Sequence, residues 1–128
     1  MPNSNLYCIL RKNFPTNLDK IAFTVPDCRS VSYRDLENTV KRFSLTLVTN
    51  GVNPGDRVMV QVQKSPEVIA LYLACLRIGA IYIPLNTAYQ NEELKYFLSD
   101  AKPRLFVTST EHEQLLRKTI APQIVILT

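Results

Sequence analysis

The chain has 128 residues, 46% hydrophobic and 20% charged, which suits one domain with a real core and excludes a disordered or low-complexity tract. Its 15 lysines and arginines against 11 acids leave a net charge of +4; the basic residues are scattered, so the excess reads as a solvated surface and not as a nucleic-acid footprint. Three cysteines, Cys8, Cys28 and Cys75, form no CxxC pair, which argues against a disulfide framework and a zinc site. No apolar run is long enough to span a bilayer.

Leu6, Ile9 and Leu10 fall near helical spacing, so a short helix is expected, ending before Pro15. Residues 21–25 read as a strand turned by Pro26 and Asp27, with 30–32 as the return strand of a small hairpin. Ser32 is the expected N-cap of the next helix, with Asp35 completing a capping box. Leu36, Val40, Phe43, Leu47 and Val48 form its predicted inward face, and Gly51 takes the left-handed position after its end. Residues 53–56, Asn-Pro-Gly-Asp, predict a turn fixed in part by Arg57, and 57–61 an alternating strand. Ser65, Pro66 and Glu67 are a capping hydroxyl, a first-turn proline and a first-turn acid. The helix they open is apolar nearly all round and closes at Gly79, which predicts burial on most sides and a further covering layer.

Residues 80–83 predict a short strand ended by Pro84. Asn91 is the expected cap of a helix with Glu92 and Glu93 in its first turn and Leu94, Phe97 and Leu98 inward. Residues 105–108 predict a strand, 111–118 a short helix and 124–127 a last strand. The alternation of strand and helix from residue 57 onward predicts an α/β fold: a mainly parallel sheet with helices on both faces, joined to a small N-terminal hairpin.

The chemistry-bearing residues are sparse. The three glycines, Gly51, Gly55 and Gly79, have neither the spacing of a phosphate-binding loop nor that of a dinucleotide fingerprint. The single histidine, His112, sits between Glu111 and Glu113 at a polar helix start, where it reads as a surface residue. The acidic pairs fall in first helical turns, as the helix dipole favours. No nucleophile has its base, and no self-contained catalytic set or metal site is expected.

Two stretches carry more than their physics. One is Ser32-Tyr33-Arg34-Asp35-Leu36 followed by the Gly51-to-Val58 turn with Gly55-Asp56-Arg57-Val58. The other starts at Lys64-Ser65-Pro66-Glu67, runs through Leu76-Arg77-Ile78-Gly79-Ala80-Ile81-Tyr82-Ile83-Pro84-Leu85-Asn86-Thr87-Ala88-Tyr89, and closes at Ser99-Asp100-Ala101-Lys102-Pro103. In this order and spacing they resemble the start of the adenylate-forming, AMP-binding family of acyl-CoA synthetases, over about residues 20–108. Lys64 and the 85–89 string look most like malonyl-CoA synthetases; Gln90 stands where relatives usually carry threonine.

The resemblance implies that residues 1–128 are an incomplete N-terminal subdomain of a longer ligase. That ligase would join a carboxylate, ATP and CoA into acyl-CoA, AMP and pyrophosphate, with Mg²⁺ neutralising the phosphates. The family's phosphate loop, adenine-binding strand, ribose-binding aspartate and catalytic lysine match no segment here, so the chain alone is expected to be inactive, with no bound cofactor. The resemblance also implies that the loop of Asn86, Thr87 and Ala88 borders the CoA path, and that Arg117 and Lys118 meet the CoA 3′-phosphate. Helix capping and turn formation are the competing roles of these residues. The expected partners are the remainder of the synthetase chain and, through exposed apolar surface, a second copy, with no nucleic acid and no membrane span. Residues 1–13 lack the order of a secretory signal, and the thiols suit the cytosol or an organelle matrix. The competing reading is a free-standing interaction or regulatory domain that kept the fold and lost the chemistry.

Overall fold

The computed structural model describes residues 6–24, 29–108 and 125–127. Helix α1 (Leu6–Lys12) precedes the strands β1 (Ile21–Thr24) and β2 (Ser30–Ser32), which pair antiparallel as the expected hairpin. The chain continues through α2 (Tyr33–Thr49), β3 (Arg57–Gln61), α3 (Pro66–Ile78), β4 (Ile81–Pro84), α4 (Asn91–Ala101), β5 (Leu105–Thr108) and β6 (Val125–Leu127). Strands β3 to β6 form one sheet in the order β4-β3-β5-β6, and each neighbouring pair is parallel. The helix predicted over residues 111–118 lies outside the described residues, as does His112.

Local chemistry sets the helix ends. Ser32 Oγ accepts from the Asp35 amide at 3.0 Å and Asp35 Oδ2 accepts from the Ser32 amide at 3.4 Å, the reciprocal capping box that starts α2. Ser65 Oγ accepts from the Val68 amide at 3.3 Å, and Pro66 takes the first position of α3, where its missing N–H costs nothing. α3 stops at Gly79, whose φ of 80° lies in the left-handed region that only glycine enters cheaply. The Gly79 carbonyl accepts from the Gly55 amide at 2.9 Å, which docks the 53–56 turn against the helix end.

The core has two parts because the sheet has two covered faces. Val58 and Val60 of β3 and Leu105 of β5 join α1, α2 and α3 through Tyr7, Leu36, Val40, Leu47, Ala70 and Ala74. Met59 and Phe106 point the other way, onto Leu94 and Leu98 of α4. This explains why the predicted in-out alternation of β3 fails: Val58, Met59, Val60 and Gln61 are all buried, as in a parallel strand sandwiched by helices.

Three further expectations are corrected. The N-cap of α4 is Gln90, not Asn91: Glu93 Oε2 accepts from the Gln90 amide at 3.0 Å, which fixes Gln90 as the residue before the first turn. Arg57 does not fix the 53–56 turn. Asp56 does, with Oδ2 accepting from the Asn53 amide at 2.7 Å, while the Arg57 guanidinium reaches the Ala101 carbonyl at the end of α4, 2.8 Å away. Val48 is 54% exposed on α2, outside the stripe that Leu36, Val40 and Leu47 bury. α3 buries Ala70, Leu71, Leu73, Ala74 and Cys75, while Ile69 and Tyr72 are 44% and 40% exposed on its outer side, where the sequence pattern called for a further covering layer.

Candidate functional site

The parallel strands fix where a site can form. β3 leads through α3 to β4 on one side, and β4 leads through α4 back to β5 on the other side of β3. The carboxyl ends of β3 and β5 therefore flank the point where the connections diverge, the usual place for a ligand crevice in an open α/β sheet. Gln61 and Thr108 occupy those ends as register partners. The C-terminal end of β4 lies on the same sheet edge and leads into the 86–89 loop.

Between the ends of β3 and β4 and the start of α3 lies a groove of ≈ 640 Å³. Val60, Val62, Val68 and Leu85 give it apolar walls; Lys64, Asn86 and Thr87 give it a polar rim. The sheet pairing runs on into the loop, with the Leu85 amide donating to the Val60 carbonyl at 2.8 Å. Asn86 then folds on itself: its Oδ1 accepts from the Ala88 amide at 2.9 Å, and its carbonyl accepts from the Tyr89 amide at 3.1 Å. Thr87 and Ala88 are exposed at the tip. The Tyr89 ring stacks on Phe97 of α4 at 5.1 Å between centroids.

Gln61 anchors this loop from below. Its Nε2 donates to the Asn86 carbonyl at 3.0 Å and to the Tyr89 carbonyl at 3.2 Å. Sequence reasoning missed it, although a signal was present: a glutamine between Val60 and Val62, in a parallel sheet expected to be covered on both faces, needs partners once buried. Of the five candidate ligand residues, the structure brings Asn86, Thr87 and Ala88 together beside the groove. Arg117 and Lys118 lie outside the described residues.

The titratable groups nearby are not arranged for catalysis. Burial pushes the Cys75 thiol up to about 12, so it stays protonated and is no nucleophile. Burial likewise raises the Tyr82 hydroxyl, which belongs to a ring packed edge-on against Tyr72 at 5.2 Å. The backbone amide at its own helix start holds the Glu67 carboxylate below its ordinary range, helped by the Arg29 guanidinium. Among the described residues no group of three or more His, Cys, Asp or Glu gathers to hold a metal.

A profile of the AMP-binding enzyme family matches residues 10–127, and the chain belongs to that family. The crystal structures of apo and ATP-bound MatB from Rhodopseudomonas palustris superpose on it with a TM-score of 0.89 at 34% identity, covering 95% of this chain and 24% of theirs. A 3-hydroxybenzoate–CoA/4-hydroxybenzoate–CoA ligase of Thauera aromatica is 34% identical over 103 residues, 77% of this chain and 20% of the ligase. A dimodular nonribosomal peptide synthase of Bacillus subtilis is 32% identical over 109 residues, 84% of this chain and 4% of the synthase. The chain thus spans about a fifth of the curated CoA ligase and a quarter of MatB. The resemblance read from the two sequence stretches, and the α/β fold with its parallel sheet and hairpin, are borne out.

Proposed function

We propose that this chain is the N-terminal part of an ATP-dependent acid–CoA ligase of malonyl-CoA-synthetase-like type. In that reading the longer synthetase activates a carboxylate with ATP and Mg²⁺ as an acyl-adenylate, releasing pyrophosphate. The thiol of CoA then displaces AMP. The remainder of the synthetase holds the nucleotide and the metal, and it covers the outer side of α3 at Ile69 and Tyr72. The 128 residues alone complete neither step.

The observation that carries the reading is the 86–89 loop beside the ≈ 640 Å³ groove at the carboxyl edge of a parallel sheet. Its apolar walls suit the slender pantetheine arm, and Lys64 on the rim supplies a cation toward an anionic ligand. Asn86, Thr87 and Ala88 are the residues of this chain that would meet CoA there. Arg117 and Lys118 remain candidates for the 3′-phosphate. The choice of malonate rests on the 85–89 string and Lys64, shared in look with that subfamily.

The test is thioester formation by the longer synthetase with ATP, Mg²⁺, CoA and a panel of malonate, acetate, oxalate and hydroxybenzoates. The reading predicts malonyl-CoA as the preferred product. A preference for another acid removes the subfamily assignment, and no CoA thioester from any acid removes the ligase reading.

A further inference from the structure

We propose that Gln61 is a positioning residue: its carboxamide ties the 86–89 loop to the end of β3 and so holds Asn86, Thr87 and Ala88 in the shape that meets the thiol substrate. This rests on the reading above, in which that loop borders the CoA path.

Gln61 is 4% exposed in a strand whose other buried positions are Val58, Met59 and Val60. Burying an amide is unfavourable unless its polar atoms are bonded, and an aliphatic side chain would fill the same strand position without that penalty. Both of its donated bonds go to the main chain of one loop, at the Asn86 and Tyr89 carbonyls that bracket it. The same Asn86 carbonyl also closes the turn by accepting from the Tyr89 amide. Gln61 therefore fixes the closed turn to the sheet, while the stack of Tyr89 on Phe97 fixes its far end to α4.

The amide's orientation follows from its two donated bonds. Among the described residues Gln61 Oε1 has no partner. Turning the carboxamide over would set its oxygen against two carbonyls and lose both donated bonds.

The test uses the longer synthetase carrying Gln61→Met, which keeps the side chain's length and removes both donors together with the unbonded acceptor. The expected result is a rise of about tenfold in the KM for coenzyme A. ATP–pyrophosphate exchange, which precedes the thiol, should stay within about twofold of wild type. If Gln61→Met does not fold, Gln61→Asn gives the same readout, since it pulls the amide back from both carbonyls.

A folded Gln61 variant with an unchanged KM for coenzyme A overturns the proposal. A variant in which exchange and thioester formation fall together marks a purely structural role and also overturns it. In each of these cases the wild type still makes thioester, which separates them from failure of the ligase reading; a wild type that makes none overturns both.

Discussion

Single residues here are set by what burial does to their polar atoms. Cys75 is fully buried between α3 and the sheet, and its thiol is pushed from 9.0 up to about 12 by desolvation. In the native chain at neutral pH, alkylation followed by peptide mapping should leave Cys75 unmodified, and the same reagent in urea should modify it. The linkage has a definite sign. The native state keeps the proton more tightly than the unfolded chain, so this contribution to stability is complete below pH 9.0 and is lost as pH climbs toward about 12. Urea midpoints should accordingly fall across that window, and fall less in Cys75→Ala. Cys75 was legible as a small core residue because it sits in an apolar helical run. Gln61 was not, because the sequence shows a polar letter in a strand but not which carbonyls it reaches 25 and 28 residues away.

At the scale of elements, the sequence was most informative where a short-range pattern decides the outcome. The capping box at Ser32, the Ser65-Pro66 start, the Gly79 stop and the 53–56 turn are all built from neighbours within four residues, and each was readable from its letters. Replacing Ser32 by Ala removes the cap of α2 and should lower stability by about 1 kcal/mol, read as a shifted urea midpoint with an unchanged slope. What escaped the pattern depends on tertiary covering. β3 reads as alternating yet is buried from Val58 to Gln61, because helices cover both faces of the parallel sheet. The outer side of α3 is open at Ile69 and Tyr72, and its hydrophobic letters call for a cover without saying which neighbour supplies it. Arg57 reads as a turn residue, but its long side chain serves the end of α4, 44 residues on.

For the whole molecule, the parallel sheet β4-β3-β5-β6 with helices on both faces brings the ends of β3, β4 and β5 to one edge and so determines where the groove and the 86–89 loop stand. The face under α4 is the thinner one, with Met59, Leu94, Leu98 and Phe106 as its buried cluster. Phe106 is its largest fully buried side chain. Phe106→Ala should cost about 3–5 kcal/mol, enough to unfold a large fraction of a marginally stable domain, and loss of the cooperative thermal transition would report it. The general place of the site followed from strand–helix alternation. Its residues at 86–88 came through family resemblance, and the loop's anchorage only from coordinates. The central claim is a division of labour: this segment shapes the thiol side and leaves the gripping of ATP to the rest of the synthetase. The most direct measurement is ATP–pyrophosphate exchange by the purified 128-residue chain with malonate and Mg²⁺, beside the longer synthetase. Exchange by the longer protein and none by the chain alone is the predicted result; exchange by the chain alone would contradict it.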